Sequence, residues 1–348
     1  MGSATRTLWR PVLLVWLILL TLGFGIMVAM VPQTRIYEDI ICRRYYADYP
    51  EQSTTVGIAL LPNEPRHGDG PDESLCKRPE IQDAVNQLFG WQTFFDGIPG
   101  LLLAMYYGSL ADSKGRRPIL ILSLVGQLLG AAWILFICWI EADVKLTWIS
   151  SIFSCIGGGN TVFTASAMMI LADATPDTSR ARIFFYASTS LIVGEMVGPP
   201  VGAALMARDP WIPNMLGFLC MGIATALAFL MTETLESVGD NAAENRPGTS
   251  GSGGPSRVFR PLKAVAKHAI TTLSFVFRDR NLLLLVASYF TVDFARETLS
   301  LLVRYTSARF SIPLSKVCDV TFQLFTCILD IALVLIFALL LRFHFASD

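Results

Sequence analysis

The side chains in this sequence that could do chemistry are ionisable groups within long apolar runs. They are Asp96, Glu195, Asp293, Arg296 and Glu297. A charge at bilayer depth costs about 2.5–3.5 kcal/mol on insertion scales, so such residues are candidates for contact with protons or substrate. Each also has a purely structural interpretation. Asp96 or Glu195 could bond to a neighbouring helix, and the last three residues share a helical face on which they could neutralise one another.

The interior of the apolar run from Leu146 to Ala172 contains the segment Gly157-Gly158-Gly159-Asn160. Three glycines would only weaken a helix that faces lipid. At a helix interface they permit close backbone contact, or they line a cavity. The pattern therefore makes Asn160 a further substrate candidate, within a predicted helix from Leu146 to Ala172.

A charged, glycine-containing turn from Gly108 to Pro118 joins two apolar runs, 84–107 and 118–140. Each run exceeds the length of about 20 residues that crosses a bilayer. The positive cluster of Lys114, Arg116 and Arg117 predicts that this turn is cytoplasmic. We expect Gly108 and Gly115 to form the turn and Asp112 to pair locally with the basic residues.

This turn resembles the motif between the second and third helices of the major facilitator superfamily of secondary transporters. The matching residues are Gly108, Leu110, Ala111, Asp112, Gly115, Arg116, Arg117 and Leu120. In that family the motif latches one conformation, and the resemblance implies that Arg116 lies near Asp173. Other stretches look like fungal members, and the region around the fourth helix loosely resembles the proton-coupled folate transporter branch.

A second resemblance lies in the predicted fifth helix, from Ile183 to Ala207. Its residues Gly194, Gly198, Pro199 and Gly202 are similar to a glycine–proline motif of the superfamily that is best known from exporters. The glycines recur every four residues, so they share one helical face. The alternative is a packing groove without a specific role, because small-residue faces are common in membranes.

Composition supports a membrane protein and excludes several other classes. The chain has 348 residues, of which 53% are hydrophobic and 16% charged, and its net charge is −1. This balance gives no reason to expect a nucleic-acid partner. His67, His268 and His344 are far apart, and no zinc-type cysteine spacing occurs, so we expect no metal or other cofactor. No activated nucleophile or phosphate loop is recognisable, so we expect no enzyme and no catalytic residues.

The order of the runs predicts an all-α polytopic membrane protein. We expect a six-helix N-terminal half over residues 1–235 with a long external loop over about 33–80. A cytoplasmic linker over 236–281 follows, and residues 282–348 start a second half with a seventh helix and an atypical eighth. Cys42 and Cys76 share the external loop, where they could form a disulfide or remain free thiols.

The resemblance implies a transporter of a small organic solute that uses protons and works by alternating access. Superfamily members have about twelve helices, so we expect the chain to be truncated at its C-terminal end. The alternative is an inactive or regulatory half-transporter, completed by the missing helices or by another copy. We expect a multi-pass protein of the plasma membrane or the vacuolar membrane.

Overall fold

The computed structural model describes residues 4–49 and 73–231, together with 283, 294, 298, 301–310 and 312–317. Residues 1–240 with 306–348 form one compact unit and 241–305 another. The helices of the first unit are α1 (Ala4–Asp48), α2 (Pro79–Lys114), α3 (Arg116–Trp139), α4 (Ser150–Phe153), α5 (Gly159–Ala174), α6 (Asp177–Met206) and α7 (Trp211–Leu230). Two 3₁₀ turns, Glu73–Lys77 and Val144–Ile149, precede α2 and α4. The predicted all-α membrane architecture is confirmed over the described residues.

Four helices of the described chain are long and apolar enough to cross a membrane. They comprise Arg10–Asp48, Arg116–Trp139, Ser179–Met206 and Trp211–Leu230. The helix α2 has 36 residues but is not among these four. The fourth apolar run forms the short α4 and the 16-residue α5 instead of one continuous helix. We call residues 144–174, from the second 3₁₀ turn to the end of α5, the fourth segment.

The first helix is longer than its apolar run, which corrects the predicted start of the external loop at residue 33. The helix passes through Pro32 and ends at Asp48. Charged residues beyond Pro32 pair at helical spacing: Arg35 with Glu38 at 3.3 Å, and Asp39 with Arg43 at 2.9 Å. Such i,i+3 and i,i+4 pairs stabilise a helix. The charges that suggest a loop in the sequence are therefore satisfied along the helix.

The glycine turn is shorter than expected. The helix α2 continues to Lys114 and α3 begins at Arg116, so Gly115 alone separates them. Gly115 has φ +100°, a conformation that side chains rarely adopt. Gly108 lies within α2, and a Cβ added there would meet no described atom within 4 Å. The expectation that Gly108 forms part of the turn is wrong.

The predicted helix from Leu146 to Ala172 is interrupted. Gly157, Gly158 and Gly159 have φ angles of +89°, +77° and +65°, which are incompatible with a right-handed helix. The chain leaves α4 at Phe153, and α5 continues from Gly159, whose own φ angle is still positive. A run of three glycines lowers the cost of this backbone, because none of them carries a Cβ.

The core of the first unit lies around α1, which packs extensively against α6 and α7. Its buried side chains include Val15, Ile18 and Leu19, which meet Leu124 of α3 and Ile170 of α5 in one cluster. A second cluster, at the other end of α1, contains Tyr37 and Ile40. The long first helix therefore organises both ends of the unit.

The glycine face of α6 is in backbone contact with α1. A Cβ at Gly194 would lie 2.8 Å from the Phe24 amide nitrogen, and one at Gly202 would lie 2.4 Å from the Val28 carbonyl oxygen. Gly198 makes a similar approach, and Pro199 lies beside it within the helix. The packing interpretation of this motif thus has direct geometric support.

The end of the unit remote from Gly115 is joined by a covalent and an ionic link. Cys42 of α1 is bonded to Cys76, which precedes α2. Beside the disulfide, Lys77 Nζ lies 2.8 Å from Glu38 Oε1, and both side chains are 3% exposed. We call this the disulfide end of the unit.

Replacing Gly202 with alanine should destabilise the protein by about 1–3 kcal/mol, the usual cost of overpacking. The contacting atoms belong to the backbone of α1, so they cannot move aside as a flexible side chain would. Thermal unfolding of the detergent-solubilised protein measures the loss. The matched control is Gly222→Ala in α7, where nothing lies within 4 Å of the added Cβ. Equal melting temperatures for the two variants would contradict close α1–α6 packing.

Replacing Cys42 with serine should lower the free energy of unfolding by about 3–4 kcal/mol, because the disulfide closes a long loop of the unfolded chain. The two cysteines are 34 positions apart in sequence. Thermal unfolding with and without reductant is the measurement. Reductant should lower the melting temperature of the wild type and leave Cys42→Ser unchanged. Cys155→Ser, which removes an exposed free thiol, serves as the control. A wild-type melting temperature that does not change with reductant would argue against the disulfide.

Candidate functional site

The end of the unit at Gly115 contains an ion pair between two helix termini. Arg116, the first residue of α3, pairs with Asp173 in the last turn of α5. Their side chains are 17% and 19% exposed. Arg116 Nη1 also donates to the Met169 carbonyl oxygen at 2.7 Å. One guanidinium therefore binds both a carboxylate and a backbone carbonyl of the same helix end.

Two further arginines bind carbonyl oxygens at helix ends. Arg117 Nη2 donates to Phe229 near the end of α7 at 2.8 Å, and Arg180 Nη2 donates to Ala172 of α5 at 3.3 Å. The carboxyl end of a helix carries partial negative charge, so cations are favourable there. We call this group the motif end of the unit: Arg116 and Arg117 hold the ends of α5 and α7 against the start of α3, and Arg180 holds the end of α5 against the start of α6.

Asp112 does not pair with the neighbouring basic residues, contrary to our expectation. Its side chain is exposed and forms no ion pair within the part of the chain that the structure describes. Leu110 packs at the edge of a buried cluster around Tyr107 and Ala111. The acid that Arg116 contacts is Asp173, which is distant in sequence but lies at the adjoining helix end.

A polar cluster joins α2 to the start of the fourth segment. Ser151 Oγ donates to Asp96 Oδ1 at 2.6 Å, and Gln92 Nε2 donates to Asp96 Oδ2 at 3.0 Å. The same Gln92 amide lies 3.0 Å from the Ser150 hydroxyl. Both carboxylate oxygens of Asp96 therefore accept hydrogen bonds from neutral groups.

No cationic side chain of the described residues pairs with Asp96. This distinguishes it from Glu38 at the disulfide end, which contacts both Lys77 and Arg35. A carboxylate held by neutral donors can gain a proton without breaking an ion pair. Loss of the charge at Asp96 would therefore leave no described cation without a counter-ion.

The interruption of the fourth segment is held by two hydroxyl groups that the sequence analysis did not identify. Tyr107 of α2 donates to the Cys155 carbonyl oxygen at 2.8 Å and accepts from the Gly157 amide at 3.0 Å. Ser123 of α3 donates to the Gly157 carbonyl oxygen at 2.5 Å. A glycine run that breaks a membrane helix frees backbone amides and carbonyls, which then need other hydrogen-bond partners. The glycine run is therefore the signal in the sequence that could have directed attention to nearby hydroxyl groups.

The remaining candidates occupy separate places. Asn160 lies exposed in the first turn of α5, and Glu195 lies half-buried on α6 beside the glycine face. Asp293, Arg296 and Glu297 lie outside the described residues. Among the described residues, no group of three histidine, cysteine, aspartate or glutamate side chains is arranged to hold a metal ion.

Replacing Asp173 with asparagine should destabilise the protein by about 1–2 kcal/mol, because the Arg116 guanidinium loses its charged partner at a half-buried site. Thermal unfolding at low and high ionic strength is the measurement, and the difference from wild type should shrink as salt rises. Asp112→Asn is the matched control: it removes an exposed, unpaired acid and should change stability by less than about 0.5 kcal/mol. A larger effect at Asp112 than at Asp173 would contradict the assignment of the ion pair.

Comparison with known proteins places these features in a family. The model of the Major Facilitator Superfamily matches residues 79–346. An MFS efflux pump, atnC of Emericella nidulans, is 37% identical over 292 residues, which is 84% of this chain and 54% of that protein. An efflux pump, ustT of Aspergillus flavus, is 26% identical over 81% of this chain and 53% of its own length.

A solved structure of a D-xylose–proton symporter superposes with a TM-score of 0.45 and 14% identity, covering 90% of this chain and 65% of the symporter. The chain spans about half the length of the curated relatives named above. Members of the matched family are transporters rather than enzymes. The family match covers more than half of the chain, so this protein belongs to the Major Facilitator Superfamily.

Proposed function

We propose that this chain is a proton-coupled exporter of a small organic solute that works by alternating access, with residues 1–235 as its six-helix N-terminal half. Membership of the superfamily supports transport of a small solute. Export is the function printed for atnC and ustT. The observation on which proton coupling depends is Asp96, a carboxylate in α2 that has neutral hydrogen-bond donors and no cationic partner among the described residues.

The cost of a charge at membrane depth explains how Asp96 could couple transport to protons. An ionised carboxylate there is unfavourable by about 2.5–3.5 kcal/mol on insertion scales, and protonation removes that penalty. The Ser151 hydroxyl and the Gln92 amide can remain in place in both protonation states, since each can bond to a carboxyl or a carboxylate. A protonation cycle at Asp96 would then alternately favour the exposure of this region to water and its closure.

We assign the ion pair between Arg116 and Asp173 the role of a latch between the ends of α3 and α5. A switch of this kind needs interactions that are strong enough to define one state and weak enough to exchange. A charge-assisted pair at a partly exposed site meets that requirement, because water can replace either partner. The backbone contacts of α6 with α1 would in turn hold the surrounding helices as a rigid body.

The two ends of the unit support one orientation in the membrane. The motif end carries the clustered arginines that are typical of cytoplasmic turns. The disulfide end contains the bonded pair Cys42 and Cys76, and disulfides persist in compartments that are not reducing. We therefore place the motif end in the cytosol and the disulfide end outside the cell or in the vacuolar lumen.

The test is solute accumulation by the purified 348-residue chain in liposomes with an imposed pH gradient. A panel of small organic solutes is offered and the vesicle contents are measured by mass spectrometry. At least one solute should accumulate, and a protonophore should abolish the accumulation. Absence of accumulation for every solute, under conditions where the protein remains folded, would contradict transport by this chain.

Replacing Asp96 with asparagine should reduce the proton-driven accumulation to the level of empty liposomes, because the side chain can no longer bind and release a proton. Exchange of labelled for unlabelled solute, which needs no net proton movement, should persist. Asp83→Asn is the matched control, since Asp83 is exposed on the first turns of the same helix. Retention of the pH-driven flux in Asp96→Asn would exclude this residue as the proton carrier.

A further inference from the structure

The interruption of the fourth segment is a built feature of the backbone. Three successive glycines, 157 to 159, have positive φ angles, and residues before and after them are helical. Non-helical backbone at membrane depth needs hydrogen-bond partners or water, since lipid supplies neither. The partners of this break are therefore informative about its role.

Two buried hydroxyls occupy the break from two different helices. Tyr107 of α2 bridges it, because its oxygen donates to the Cys155 carbonyl before the glycines and accepts from the Gly157 amide within them. The Ser123 hydroxyl of α3 lies 2.5 Å from the Gly157 carbonyl oxygen and 3.3 Å from that of Gly159. One hydrogen on Ser123 thus has two acceptors, so this bond can change partner with a small displacement.

The helix α3 provides a recess for the break. A Cβ at Gly126 would lie 2.1 Å from the Ile156 carbonyl oxygen, and one at Gly157 would lie 2.4 Å from the Ser123 amide nitrogen. The contact surface between the break and α3 is therefore backbone on both sides.

The two sides of the break are anchored to different groups. Before it, Ser150 and Ser151 bond with Gln92 and Asp96 in the polar cluster. After it, α5 ends in Asp173, which pairs with Arg116 at the motif end. About 21 Å of helix separates Gly159 from Asp173 at the standard rise per residue.

We propose that the break is a joint between the polar cluster and the ion pair of the motif end, and that Tyr107 is the positioning residue that sets the angle between α4 and α5. While the Tyr107 hydroxyl bridges Cys155 and Gly157, the angle between α4 and α5 is fixed and Asp173 contacts Arg116. When the bridge opens, α5 can pivot on the glycines and carry Asp173 away from its partner. The inference rests on the proposed function in one respect: it assigns this movement to the transport cycle.

The first test measures hydrogen exchange of the backbone amides around the joint, in the 348-residue chain in detergent or nanodiscs, by mass spectrometry. Tyr107→Phe removes the hydroxyl and keeps the ring, so exchange in peptides covering residues 154–160 should accelerate about fivefold, the effect of losing one or two net hydrogen bonds. The matched control is Tyr106→Phe, which removes a hydroxyl from the neighbouring exposed residue and should change nothing there. Unchanged exchange in Tyr107→Phe would overturn the bridging role.

The second test asks whether the joint is coupled to the ion pair, which a merely structural tyrosine would not be. Asp173→Asn should also accelerate exchange at residues 154–160, although it lies at the far end of α5. In the double variant with Tyr107→Phe, the loss of Asp173 should add no further acceleration, since the bridge through which it acts is already absent. Multiplying effects, or no effect of Asp173→Asn at the joint, would overturn the proposal.

Two design points keep the outcomes clear. Exchange in α7 peptides reports whether each variant remains folded, and Ser123→Ala provides a second way to loosen the joint if Tyr107→Phe does not fold. Hydrogen exchange needs neither solute nor a pH gradient. A chain that shows the coupling but transports nothing would therefore contradict the proposed function and leave the joint supported. A chain that transports solute but shows no coupling would contradict the joint and leave the proposed function supported.

Discussion

The structure depends on how closely helix backbones can approach one another. In a bilayer the surrounding lipid is as apolar as a leucine side chain, so burial alone gives little reason for helices to associate. The first unit meets this constraint with glycines. Gly194 and Gly198 of α6 face the backbone of α1, and Gly25 of α1 faces Gly217 of α7. Van der Waals contact between backbones then supplies the attraction that the hydrophobic effect cannot.

This packing combines an apolar core shared by α1, α3, α5, α6 and α7 with polar bonds that are concentrated on the fourth segment. The helices α1, α6 and α7 meet through small residues and a continuous apolar core. The fourth segment meets α2 and α3 through hydroxyls, an amide and a guanidinium, contributed by Tyr107, Ser123, Gln92 and Arg116. Packed surfaces resist deformation, whereas individual hydrogen bonds can exchange partners. Movement in this unit is therefore expected where its polar bonds are concentrated.

The sequence was most informative where a property is local. The apolar runs predict the membrane helices, and the basic turn predicts the charged motif end. The sequence suggested a loop at residues 33–48, which are helical, because charged residues such as Asp39 and Arg43 are typical of loops. Their helical spacing shows that they can pair along a helix instead. The local conformation of Gly157 was also misread, since a glycine in an apolar run can serve close packing or a break equally well.

Tyr107 and Ser123 show why the rest could not be predicted from the sequence. Each is one of several polar residues in its helix, and nothing local indicates that both bond to the same interruption in a third helix. The proximity of Arg116 to Asp173 was expected only from the family resemblance, because which helix end adjoins the turn depends on the tertiary arrangement. Long-range polar contacts of this kind follow from the tertiary arrangement and leave no periodic pattern.

The acids of the unit fall into two classes that differ in what surrounds them, and this difference bears on function more than their positions do. Glu38 is buried against Lys77 and Arg35, and Asp173 is paired with Arg116, so each of these carboxylates neutralises at least one cation. Within the described ranges, the hydrogen-bond partners of Asp96 are the neutral Ser151 and Gln92. Replacing Asp96 with a neutral residue would therefore leave no described cation without a counter-ion. This distribution, with cations beside the acids that hold helices together and neutral donors beside Asp96, is the one that the proposed proton coupling requires.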